Sequence, residues 1–290
     1  MIFINCIQDN IYLNWQTELL YYNISKLGGT LVTLCGFTYK PSNYALQLEK
    51  NLNNYILIED TRIDKNYAAT MQPFLLSKYK TDKQYFLCDS DVIFKDIEFL
   101  NTDLMKYDVI GSDCTSYIGN NYINSCDPQI LKLMCDITNI PFNKILNNKV
   151  YIGAQYIFNK VPSCSFWNKV MEDSNKLYTL LSKYKCSNND IQIWTAEMWS
   201  ILFNLVNEDY LITQDVSMNF SWASDNISTW KNNKIFHCAG VVNKVSGHFY
   251  KGEYTKYTPF FQDLSYVKPT SCSSIYKDLI LEYKKVRNIN

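Results

Sequence analysis

Apolar residues fall into short runs at regular intervals, and polar clusters separate them. Ile2 to Ile7 is such a run and predicts a strand. The polar Gln8-Asp9-Asn10 closes it as a loop. Trp15, Leu19, Tyr22 and Leu27 then recur at helical spacing, which predicts a helix from about Tyr12 to Lys26 stopped by Gly28-Gly29. Thr30 to Cys35 predicts a second strand by its β-branched residues, Asn43 to Asn51 a short helix, and Tyr55 to Glu59 a third strand. Strands alternating with helices at this spacing predict an α/β fold, Rossmann-like, with a mainly parallel sheet flanked by crossover helices.

The centre of the pattern is Tyr85 to Phe94, YFLCDSDVIF, fed by a predicted helix over Tyr67 to Tyr79 in which Pro73 imposes a kink or a late start. Apolar residues lead into Asp89-Ser90-Asp91 and more follow, so the stretch reads as a buried strand broken at its end by two carboxylates. Buried carboxylates need a basic partner or a divalent cation. Two acids one residue apart at a strand edge suit a hard cation that also holds a diphosphate.

Downstream, Asp108 to Gly111 predicts a short strand and Pro128 to Ile137 a helix. Val150 to Asn159 is a strand interrupted by Gly153-Ala154-Gln155, where small residues allow a close backbone approach. Helices are predicted over Ser165 to Tyr184 and Asp190 to Val206, strands over Tyr210 to Ile212 and Ile235 to Val242, and a basic helix over Ser274 to Val286. No repeat or linker interrupts this order. The simplest parse is one domain over 1–260 with a C-terminal helical extension, 261–290, packed on it.

Composition then removes function classes. Across 290 residues, 28 basic residues balance 28 acidic ones, so the basic stripe that nucleic acid or an anionic membrane requires is absent. No apolar run is long enough to span a membrane. The amino terminus lacks the basic leader and long apolar core of a signal peptide, which predicts a cytoplasmic protein. Ten cysteines without Cys-x-x-Cys spacing argue against a zinc ribbon and for reduced thiols. Oligomeric state has no signature here.

Candidate chemistry gathers around the acid pair. A cation shared with a diphosphate needs a third protein ligand, and of the two histidines, His237 is favoured because Cys238-Ala239-Gly240 after it leaves room for a ligand. His248 is expected to be structural. Asp9 and Gln8 lie past the first strand, where open α/β sheets place ligands and where a nucleoside would be read. Arg62 reads either as a phosphate contact or, more simply, as a surface ion pair. Lys251, between Gly247 and Gly252, is placed to neutralise a departing diphosphate. Glu197, among Trp194, Met198 and Trp199, has the apolar surroundings that prepare a general base or an anchor for a sugar hydroxyl. Gln155 could offer its amide to a donor sugar. Each of these has a structural alternative: a solvated loop for Asp9, a solvated lysine for Lys251, a buried amide for Gln155.

With YFLCDSDVIF, GAQYIF, AEMWS, and FHCAGV followed by FYKG in this order, the chain resembles the GT-A class of nucleotide-sugar-dependent glycosyltransferases. It is more loosely similar to the group of peptidyl hydroxyproline arabinosyltransferases and serine galactosyltransferases. The resemblance implies that Asp89, Asp91 and His237 hold Mn2+ or Mg2+, and that the donor is a nucleotide-sugar, a UDP-sugar first. Asp9 would then contact the nucleoside, and the acceptor would be a hydroxyl on a glycan or protein. Inversion would use Glu197 as base; retention, which the narrower group implies, would place Gln155 near the sugar. Members in the Golgi carry a membrane anchor, so its absence here points to a cytosol or a viral factory. Two other readings stay open: a phosphatase of the haloacid dehalogenase kind, and a sugar-nucleotide or glycan-binding protein without turnover. The metal reading requires the three ligands to meet, and it falls if they lie well apart or if a lysine or arginine ties up the acids instead.

Overall fold

The computed structural model describes residues 1–99, 103–244 and 247–288. In chain order the elements are β1 (Ile2–Gln8), α1 (Ile11–Lys26), β2 (Leu31–Phe37), α2 (Asn43–Asn51), β3 (Tyr55–Glu59), α3 (Met71–Lys78), β4 (Tyr85–Leu87), β5 (Val92–Phe94) and β6 (Val109–Asp113). They continue with α4 (Thr115–Ile118), α5 (Asn120–Cys126), α6 (Ile130–Thr138), α7 (Phe142–Asn147), β7 (Ile152–Phe158), α8 (Cys164–Lys183), α9 (Ala196–Asn207), β8 (Ile212–Gln214), β9 (Phe220–Trp222), β10 (Ile235–His237) and α10 (Ser273–Val286). The fold is α/β, and parallel pairing predominates: β1 with β2, β2 with β3 and β6 with β8 run parallel, while β7 runs antiparallel to β4 and β6.

Two compact units divide the chain, one comprising Met1–Asp60, Cys88–Phe99 and Ser217–Asn290, the other Thr61–Leu87 and Leu100–Val216. In the first, strands are ordered β3-β2-β1, with a small sheet β5-β10-β9. Asn10 caps α1 by accepting from the Leu13 amide at 2.9 Å. The helix ends as its sequence requires: Gly28, at φ 78, and Gly29 donate to the carbonyls of Ser25 and Ile24. Those paired bonds satisfy the last carbonyls of α1 and turn the chain into β2.

The core of this unit forms around Trp15, fully buried, with the rings of Phe249, Tyr254 and Tyr276 at 6.0–6.3 Å in edge-to-face arrangement. Its indole N–H donates to the Tyr254 carbonyl at 3.0 Å, which fixes the chain just after Lys251. From α10, Tyr276, Ile280 and Tyr283 complete the cluster. The C-terminal helix therefore contributes side chains to this core.

In the second unit the order is β4-β7-β6-β8. Pro73 sits in the first turn of α3, after a 3-10 turn over Ala68–Thr70, so it gives a late start rather than a kink. The β6–β7 register shifts where Ser112 faces Gly153 and Gly111 faces Tyr156, leaving Ala154 and Gln155 as a bulge. Ala154 takes the left-handed φ of 59°, which costs about 1–2 kcal/mol and bends the strand there.

One expectation changes. Tyr85 to Phe94 is not one strand: β4 pairs with β7, whereas β5 pairs with β10. The acid pair therefore lies in a turn between two strands of different sheets. The apolar run could not show this, because both halves are buried.

Candidate metal and diphosphate site

Antiparallel pairing brings the distant histidine to the acids. In the β5–β10 register His237 lies opposite Val92, one residue past Asp91, and the Cys238 amide donates to the Asp91 carbonyl at 3.0 Å. Parallel pairing with β9 sets Trp222 beside His237, with the rings stacked at 6.0 Å and 10°. Phe220 packs on the same imidazole at 5.5 Å, so its plane is fixed from two sides. Between the acids, Ser90 donates to Gln16 at 3.2 Å, and Gln16 in turn donates to the Tyr12 carbonyl. The turn is thereby tied to α1.

The result is a cluster of three donors within 4.8 Å of one another: Asp89, Asp91 and His237. His237 Nε2 lies 3.3 Å from Asp91 Oδ1 and 3.5 Å from Asp89 Oδ2. Adjacent ligands of an octahedral cation bound at ~2.1 Å stand ~3 Å apart, so small side-chain adjustments would accommodate one. Burial differs sharply along the turn: the Asp89 side chain is 52% exposed and Asp91 is 5% exposed. Asp89 is thus the solvent-facing member of the pair, and Asp91 the buried one. Nδ1 of His237 is buried and makes no hydrogen bond among the described residues, which leaves the ring oriented by packing and by the acids.

Lys251 is the fourth member, with its ammonium ion-paired to Asp91 Oδ2. A lysine does hold one acid, but only one oxygen of it; Asp89 keeps His237 as its ion-pair partner among the described residues. Burial disfavours the Asp91 anion, yet Lys251 and His237 outweigh it and hold the carboxyl far below the usual carboxylate range. Burial likewise disfavours the Lys251 cation, and Asp91 more than offsets it, so the ammonium is raised above its ordinary range.

Burial alone would lower the His237 imidazole. Asp91, by charge and hydrogen bond, and then Asp89 reverse the sign and raise it. A raised folded pKa means stability that is complete below the unfolded value near ~6.5 and lost as pH rises through the folded one. The metal-free protein should therefore melt at progressively lower temperature as pH climbs from ~6.5 through the raised value of the folded state, and His237→Gln should flatten that slope. Calorimetry across the range checks it; equal slopes in both proteins would refute it.

The other sequence candidates have distinct surroundings. Asp9 accepts from the Ser42 amide and hydroxyl, both at 2.6 Å, and from Asn14 at 2.9 Å, so it ties the β1–α1 loop to the cap of α2. Gln8 is exposed at the end of β1. His248 is structural as expected, with Nδ1 hydrogen-bonded to Ser271 at 2.9 Å. Arg62 is buried rather than at the surface, and donates to Thr70 at 2.6 Å. In the second unit, Glu197 is 8% exposed and accepts from Gln72 at 2.7 Å, while its backbone amide donates to the Tyr67 hydroxyl. Gln155 is fully buried on the bulge of β7. Sequence reading missed Trp222, Gln16 and the Lys251–Asp91 pair. A register opposite His237 would have found Trp222, but nothing local signals a partner 160 residues away.

No disulfide joins the ten cysteines, and no described helix is long and apolar enough to cross a membrane. No family model matches the chain. It is 23% identical over 185 residues to a DNA-directed RNA polymerase subunit beta of Eimeria tenella; the match takes in 60% of this chain and 15% of that protein's length. Among solved structures, the galactosyltransferase LgtC with donor and acceptor sugar analogues aligns over 97% of this chain and 96% of its own, at 12% identity and a TM-score of 0.45. The glycosyltransferase GlyE of Streptococcus pneumoniae aligns over 99% and 64%, also at 12% and 0.45. At these scores the fold rests on the strand order and helices described above.

Proposed function

We propose that this protein is a GT-A type, divalent-cation-dependent glycosyltransferase that moves a sugar from a nucleotide-sugar, a UDP-sugar first, to a hydroxyl of a glycan or protein. One observation carries the reading: two carboxylates and an imidazole share one point, with a lysine ammonium on the deeper carboxylate. Asp89, Asp91 and His237 would hold the cation, and a mixed oxygen and nitrogen set favours Mn2+ over Mg2+. When bound, the cation supplies Lewis-acid neutralisation of the departing diphosphate. Lys251 adds a second positive charge at the same leaving group. Gln8 and Asp9, past the end of β1, are the proposed nucleoside contacts. The looser resemblance to hydroxyproline arabinosyltransferases and serine galactosyltransferases makes protein hydroxyls the first acceptors to try.

The roles of Glu197 and Gln155 follow from their chemistry. Glu197 is the proposed base or sugar-hydroxyl anchor, and Gln155, re-aimed by the bulge, the amide contact to the donor sugar. Glu197→Gln should slow turnover ~10²–10³-fold, within the usual range for a general base, while leaving the Kd for UDP with Mn2+ unchanged. Normal turnover would remove it from the site.

A screen of UDP-, GDP- and TDP-sugars for Mn2+-dependent donor hydrolysis tests the whole reading. The expected result is hydrolysis of one nucleotide class that stops on chelation. If UDP with Mn2+ raises the melting temperature and no donor is ever hydrolysed or transferred, the protein binds sugar-nucleotides without turnover.

A further inference from the structure

We propose that Lys251 makes this site selective for a cation that arrives with a diphosphate, and turns away the bare cation. The inference rests on the metal reading above and concerns what stands in the way of that metal. Both oxygens of Asp91 are engaged, Oδ1 facing His237 at 3.3 Å and Oδ2 paired with Lys251. At 5% exposure the carboxylate cannot turn to solvent for a replacement partner.

Charge arithmetic sets the direction. Two aspartates and one lysine give the site a charge of −1 once His237 has released its proton, as it must to act as a ligand. A bare divalent cation takes it to +1 with an ammonium beside the ion, where neighbouring charges are poorly screened. A diphosphate brings two or more negative charges and phosphate oxygens for Lys251, so the cation and the ammonium cease to compete. Without the lysine the same cation brings the site to zero.

The surroundings allow this exchange with little backbone movement. Lys251 opens a short 3-10 turn, Lys251–Tyr254, whose closing Tyr254 stacks its ring on that of Phe249 at 5.3 Å, both almost fully buried against Trp15. The Tyr254 carbonyl is held by the Trp15 indole. With the backbone fixed, the flexible four-carbon stem of the lysine is the part free to swing from Asp91 to a phosphate oxygen.

The test measures Mn2+ binding directly, by the free-ion electron paramagnetic resonance signal, with and without UDP. In the wild type, Mn2+ alone should bind weakly, and UDP should tighten it at least ~10-fold, or ~1.4 kcal/mol. Linkage requires Mn2+ to tighten UDP by the same factor. Lys251→Met should bind Mn2+ alone at least ~10-fold tighter than wild type and lose most of the UDP coupling. Lys251→Gln, which can still hydrogen-bond Asp91, gives a second reading should the methionine variant fold poorly. Lys251→Arg, which keeps the charge, should behave as wild type. If the neutral variants bind bare Mn2+ no tighter, or keep the full UDP coupling, the inference is overturned. Asp91→Asn separates the two failures. Loss of Mn2+–UDP binding in that variant alongside unchanged neutral lysine variants sinks only the role of Lys251, whereas Mn2+–UDP binding retained in Asp91→Asn sinks the metal site itself.

Discussion

Asp91→Asn should reduce Mn2+-dependent UDP binding by ~100-fold or more, equivalent to ~2.7 kcal/mol, and stop sugar transfer. The size of the effect follows from position. Asp91 is the buried anchor of the cluster, ion-paired to Lys251 and facing His237, whereas Asp89 is half exposed. The neutral amide removes the strongest negative charge from a place that water cannot reach. It also leaves Lys251, 23% exposed, without its counter-ion. Breaking a fully buried pair costs ~3–5 kcal/mol, and partial exposure of the lysine brings this nearer ~2. A domain with the usual margin of ~5–15 kcal/mol survives that loss, so the variant should remain folded and melt a few degrees lower. Titration calorimetry with UDP and Mn2+, beside a thermal melt, reads both effects; unaltered nucleotide affinity would show that the acids serve the fold and not a ligand.

His237→Ala comes second. It removes the proposed nitrogen ligand and the ring that packs on Trp222 and Phe220. Metal affinity should fall ~10–100-fold or more, with transfer slowed at least in proportion. Raising Mn2+ should recover part of the rate, because the two carboxylates remain. Wild-type activity at low Mn2+ would mean that water completes the coordination, since His248 is committed to Ser271.

Much of this could be read along the chain, for reasons particular to each element. The helix from about Tyr12 to Lys26 was legible because its apolar residues repeat at helical spacing and two glycines mark its end; the structure adds the capping Asn10 and the paired bonds at Gly28 and Gly29. The acid pair was legible because carboxylates inside an apolar run are chemically out of place. What the run hid was its division: β4 and β5 are each buried, so hydropathy gave one strand where pairing makes two. His237 could be singled out because the chain has only two histidines. Lys251 was placed near the diphosphate on its charge and its position between Gly247 and Gly252, and its pairing with Asp91 depends on the Trp15 core closing a 160-residue loop. No local pattern carries that information.

The three-residue pairing of β5 with β10 carries a vulnerability of its own. Side chains alternate across a pleat, so sliding one strand past the other by a single position would swing the imidazole to the opposite face. Ile93 and Phe236, apolar and chemically inert, are the partners that hold the alignment. The meeting of the imidazole with the two carboxylates is thus enforced by oil-like contacts well below the surface, and a misfit in either side chain would mimic the loss of His237 itself.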